Sequence, residues 1–162
     1  MTDPAMVELR PGELYTTCEP TLIATILGSC VAVCLFSPAL RTGAMCHATL
    51  PWPGKGAVSD PRYVECAVAA MLGEMNRFGA LRGFIIAKLF GGAEMFPDGP
   101  DRPSGVTQVG RANILAARRS LSEAGVKLLT ERVGGSTGYK VIFNTWTGEA
   151  LVKTLGAKTP AR

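Results

Sequence analysis

Apolar and β-branched positions dominate residues 21–27 and 31–36, and a third such run at 43–50 follows the Ser37, Pro38 turn region. Three strands are therefore predicted to open the chain, with antiparallel hairpins across their short Gly/Pro turns. Asp60 followed by Pro61 predicts a helix start, and Val64, Ala67, Val68, Met71, Leu72 and Met75 recur at helical spacing before Gly79. Residues 84–90 form an apolar run broken only by Lys88, which predicts a strand ending on Gly91 and Gly92. That glycine pair suits close backbone packing better than direct contact with a substrate.

Residues 97–105 hold three prolines and two glycines, too irregular for either regular element, and predict an exposed excursion. Ile114, Ala117, Leu121 and Ala124 then share one face of a second predicted helix over 110–124, stopped by Gly125. Residues 126–133, 139–144 and 150–154 are the closing strands, separated by Gly134, Gly135 and by Thr147, Gly148. Six or seven strands and two substantial helices imply an α/β chain in which one or more sheets, mixed and antiparallel, are covered by helices. No repeat or linker divides residues 1–162, so a single domain is expected, in line with the chain length.

Composition narrows the class. Hydrophobic residues make up 47% and charged residues 19%, with no apolar run near the length of a bilayer span. No membrane insertion is expected, and a start without a continuous apolar block favours the cytoplasm over secretion. Five cysteines, at 18, 30, 34, 46 and 66, form no CxxC pair, which argues for reduced thiols rather than a disulfide framework. One histidine and these spacings match no common zinc pattern, so neither a metal nor a cofactor is expected. Residues 1–80 carry five Lys/Arg against seven Asp/Glu, whereas 81–162 carry twelve against six. Without a basic run or aromatic interleaving, this excess reads as a solvated face or a dock for an acidic protein, and nucleic acid is the weakest reading.

Cys30 is the candidate for chemistry. It follows Gly28 and Ser29 at an open turn, where unpaired backbone N–H groups would form an oxyanion hole beside the thiol. If residues 36 and 43 oppose one another in a hairpin, Cys30 opposes Thr49 and His47 becomes its diagonal neighbour, about 7 to 8 Å away at Cα. A slip of one residue would send His47 to the other face. A Cys and His pair so placed would give a thiolate and an imidazolium for acyl transfer. The alternative at this level is a buried small hydrophobe at Cys30 and a satisfied polar strand residue at His47. Ser29 likewise either donates to substrate or bonds its local backbone.

The stretch LGSCVAVCLFSPALRTGAMCHATLP at 27–51 resembles the signature of the chemoreceptor glutamine deamidase family, CheD, of bacterial chemotaxis. AKLFGGAEMF at 87–96, VGRAN at 109–113 and the GG and KVIFNTWTGE blocks within 134–149 are similar to later family blocks in the same order. The resemblance implies a three-layer fold of helices over two sheet layers. It also implies a cysteine hydrolase that converts receptor glutamines to glutamates, with receptor methyl ester hydrolysis as a further activity. Its nucleophile and histidine fall on Cys30 and His47, while Gly28 and Ser29 are read from the turn itself as oxyanion or substrate-binding residues. The family places a threonine six residues before the cysteine, where this chain has Ala24. Thr25 lies next to it and would serve only through a bulge, because adjacent strand positions face opposite ways. Implied partners are the chemoreceptor cytoplasmic domain and a CheC-type phosphatase. The alternative function is a binding module that regulates such a phosphatase with little catalysis.

Overall fold

The computed structural model describes residues 3–55, 59–95 and 108–156. Among the described residues there are nine strands: β1 (Ala5–Glu8), β2 (Leu14–Thr17), β3 (Thr21–Leu27), β4 (Val31–Ser37), β5 (Thr42–Cys46), β6 (Ile86–Gly91), β7 (Lys127–Val133), β8 (Tyr139–Asn144) and β9 (Ala150–Thr154). Two helices, α1 (Val64–Arg77) and α2 (Val109–Glu123), lie between β5 and β6 and between β6 and β7. One sheet runs β1-β3-β8-β9 and the other β2-β5-β4-β6-β7. Both are mixed, because β1 pairs parallel with β3 and β6 parallel with β7.

Alternation along the strands divides the interior into two cores. Val31, Val33, Leu35, Ala44 and Cys46 face the helices and meet Val68, Met71, Met75, Ala117 and Leu121. Ala32, Cys34, Phe36 and Met45 face the other way, onto Ile23, Leu27, Val141 and Phe143 of the four-stranded sheet. The order of layers is thus helices, five-stranded sheet, four-stranded sheet. That is the layered α/β single domain expected from the element count. No helix among the described residues is long and apolar enough to cross a membrane.

Three expectations need correction. β1 and β2 were not predicted: each is a four-residue strand of mixed polarity, made by pairing to a neighbour rather than by local pattern. The first helix begins at Val64 instead of at Pro61, because Tyr63 is extended (φ −87°, ψ 131°) and bridges Leu50. Asp60 makes a turn instead, accepting from the Arg62 N–H at 2.9 Å. Most consequentially, β3 and β4 do not form a hairpin. They belong to different sheets, and residues 28–30 carry the chain from one layer to the other. The excursion at 97–105 lies outside the described residues.

Candidate active site

Three crossings between the sheets meet at one end of the sandwich: residues 9–13, 28–30 and 134–138. The hairpin of β4 and β5 supplies the frame. Phe36 opposes Gly43, and the same register carries on to the Val31–Ala48 bridge, closed by bonds of 3.0 and 2.9 Å. Continued one residue past that bridge, the register sets Cys30 opposite Thr49 and His47 diagonally from it, on the face turned toward the other sheet.

Cys30 is half-buried against the core between the sheets. Its carbonyl accepts from Gly92 N–H at 2.8 Å, and the Gly28 carbonyl accepts from Ala93 N–H at 3.0 Å. The N–H groups of Ser29 and Cys30 have no backbone or side-chain carbonyl or hydroxyl acceptor among the described residues, which leaves two donors beside the sulfur. Burial pushes the Cys30 thiol above its ordinary value, and its own backbone N–H partly offsets this.

His47 is 4% exposed. Its backbone is held by the segment before β2, with its N–H on the Glu13 carbonyl at 2.9 Å and its carbonyl accepting from Gly12 N–H at 2.8 Å. Its ring Nδ1 lies 2.7 Å from the Thr25 hydroxyl, which itself donates to the Leu9 carbonyl at 2.9 Å. A hydroxyl has one proton to give. With that proton on Leu9, the Thr25 oxygen must accept, so Nδ1 carries the imidazole proton and Nε2 is left as the free base. Burial lowers the His47 pKa first, opposed by the charge of Glu13 and by the Leu9 carbonyl. Thiol and imidazole are thus both drawn toward their neutral forms, because desolvation penalises each charge.

The threonine expectation also needs revision. No bulge interrupts β3, whose register with β8 is continuous from Leu22 to Leu27, yet Thr25 faces His47. Strand parity does not carry through residues 28–30, so the layer crossing decides which side chain of β3 meets the hairpin.

The glycine pair packs backbone against backbone. Gly91 has φ +104°, and a Cβ there would come 2.3 Å from the Cys30 carbonyl oxygen. At Gly92 it would meet Ile114 at 2.4 Å. Gly91→Ala is accordingly expected to lower stability by about 3 kcal/mol, from a strained positive φ together with overpacking. A denaturant titration checks this, and an unchanged midpoint would refute the contact. Glu94 then secures the start of α2, where its carboxylate accepts from Arg111 N–H at 2.9 Å.

One buried group had no role in the sequence reading. Asn113 of α2 is 0% exposed, and its Nδ2 donates to the Ser29 carbonyl at 2.9 Å and the Thr49 carbonyl at 3.1 Å. The available signal was its polarity on the helix stripe shared with Ala117 and Leu121. The carbonyl of Leu9 left no signal, because any residue supplies one. Beside Gly28 lies an open cleft of about 480 Å³, lined by Ile26, Leu27, Met95, Ser136, Thr137 and Leu155.

The arrangement brings together a thiol, an imidazole of fixed tautomer and backbone N–H groups at the turn, the kinds of group that acyl transfer uses. Comparison with known proteins agrees with this chemistry. A Maridesulfovibrio salexigens protein named probable chemoreceptor glutamine deamidase CheD is 38% identical over 95% of this chain and 94% of its own. The Thermotoga maritima protein named chemoreceptor glutamine deamidase CheD is 36% identical over 90% of this chain and 89% of its own. A Geobacter sulfurreducens protein named probable chemoreceptor glutamine deamidase CheD 2 is 39% identical over 92% and 89%. The family described as CheD chemotactic sensory transduction matches residues 50–154, a stretch that begins just beyond His47, while the three relatives extend the likeness over nearly the whole chain. On this agreement of family match and relatives, the chain belongs to the CheD family.

Proposed function

We propose that this chain is a protein-glutamine deamidase that converts glutamine side chains of a chemoreceptor cytoplasmic domain to glutamate, with Cys30 as nucleophile and His47 as base. The observation that carries the reading is the chain of bonds from Leu9 through Thr25 to His47 Nδ1, which leaves Nε2 free to take a proton on the face that bears Cys30. In the reaction, Nε2 accepts the thiol proton as Sγ attacks the carboxamide carbon. The developing oxyanion meets the N–H groups of Ser29 and Cys30. As the C–N bond breaks, the imidazolium returns its proton to the leaving nitrogen and ammonia departs from a thioester. Water, deprotonated by the same nitrogen, adds to that thioester, and the C–S bond breaks to give glutamate and the thiol.

The open cleft beside Gly28, two residues from Cys30, is where a side chain presented from a receptor helix would approach, its lining mixing apolar Leu27 and Met95 with polar Ser136 and Thr137. A CheC-type phosphatase competing with the receptor for this face is part of the proposal, and so is hydrolysis of receptor methyl esters. Family membership alone supports both. Incubation with a receptor cytoplasmic fragment is expected to release ammonia and raise the fragment mass by about one dalton per site, the change from amide to acid. An unaltered fragment mass at high enzyme would refute the assignment.

A further inference from the structure

We propose that Asn113 is a positioning residue for Cys30: its carboxamide cross-links the Ser29 and Thr49 carbonyls and so fixes the turn on which the thiol and its neighbouring N–H donors share one direction. This rests on the deamidase reading for its meaning, though not for its test.

The need for such a link follows from the hairpin. Val31 and Ala48 form its last bonded pair, and two residues further along, Leu50 N–H would ordinarily bond the Ser29 carbonyl. It does not, because both Thr49 N–H and Leu50 N–H turn away to the Arg62 carbonyl, at 2.8 and 3.0 Å. The strands thus part where Cys30 sits, leaving the Ser29 carbonyl without its ladder partner, while the Thr49 carbonyl, in the non-hydrogen-bonded pair, has none in β4 to begin with. Asn113 reaches in from α2 and meets both with one NH2 group.

Its orientation is forced, since a flipped amide would set an oxygen against two carbonyl oxygens. The cost is visible on the other side of the group: Asn113 Oδ1 is buried with no partner among the described residues. A buried polar side chain left half-satisfied calls for an explanation other than its own stability. Holding apart two strands that carry Cys30 and His47 supplies one. The cross-link also explains how α2 bears on the site, because Gly110, one turn earlier, packs against the Gly92 and Ala93 carbonyls beside the same turn.

The test uses the cysteines already in the chain. Cys18 is exposed and reports intrinsic thiol reactivity, while Cys34 and Cys46 are buried and report loss of fold. Burial holds Cys46 up at about 12, so it stays silent while the fold is intact. Wild type, Asn113→Ala and Asn113→Leu would be alkylated with iodoacetamide across pH, with adducts at each cysteine read by peptide mass spectrometry. The leucine variant fills the volume without restoring the donors, which protects the fold where the alanine variant leaves a cavity.

The expected result is a Cys30 alkylation midpoint raised by about half a pH unit or more, because the turn no longer holds its N–H against the sulfur. Cys34 and Cys46 stay protected. On a receptor fragment, kcat falls about tenfold or more while KM stays within about threefold, as for a group acting through the nucleophile. An unchanged midpoint in a folded variant overturns the proposal. So does joint exposure of Cys34 and Cys46 in both variants, which would make Asn113 structural only. Should the wild type fail to deamidate, the alkylation arm still decides the role of Asn113 on its own.

Discussion

Cys30→Ala is expected to abolish turnover, with deamidation of a receptor fragment falling at least about 10⁴-fold, the scale of loss when a nucleophile is removed. The fold should survive. Cys30 is half-buried, its backbone bond to Gly92 N–H does not involve the side chain, and alanine fits the same extended geometry. The thermal midpoint is therefore expected within about 4 °C of wild type, the shift that corresponds to less than 1 kcal/mol in a domain of this size. Persistent ammonia release from the variant would remove Cys30 from the mechanism. Trapping sharpens the experiment: brief acid quench of wild type should yield a thioester adduct on the peptide that contains Cys30, and the alanine variant none.

Thr25→Val should be nearly as informative. Valine keeps the shape and the β-branched preference of the strand but has no hydroxyl, so the Leu9 carbonyl and His47 Nδ1 both lose it as a partner. The buried groups left unsatisfied are expected to lower stability by about 1 to 3 kcal/mol. The larger effect falls on chemistry. Without the Thr25 oxygen, Nδ1 keeps only the Leu9 carbonyl as acceptor, so the share of imidazole protonated at Nε2 rises and blocks proton uptake from the thiol. A fall in kcat of about 10²-fold follows, within the range that general base catalysis contributes. KM should change little. Nitrogen chemical shifts of the single histidine read the tautomer directly, and an unmoved Nε2 signal with full activity would refute the role of Thr25.

The hairpin that carries Cys30 and His47 was legible as two adjacent apolar runs, but its register was not: residues 31–36 are apolar throughout and buried on both faces, so only the Phe36–Gly43 pairing in the structure sets it. The last three strands were legible too, each being bounded by glycines that stop it. What escaped was pairing between distant segments. β1 and β2 have too few apolar positions to announce themselves, and only their neighbours in the sheet make them strands. Nothing in the Gly28, Ser29, Cys30 run says that it changes layer, so the sequence predicts a hairpin there and misjudges which face Thr25 presents. Asn113 was hidden differently: its partners are two main-chain carbonyls, and the main chain has no signature in composition.

The neutral resting thiol has a consequence outside catalysis. Peroxides and other oxidants react with thiolates far faster than with thiols. Burial raises Cys30 toward the protonated form, and the free base that could ionise it is itself kept uncharged. On the proposed mechanism Cys30 therefore meets oxidants as the slower-reacting thiol until its proton passes to His47.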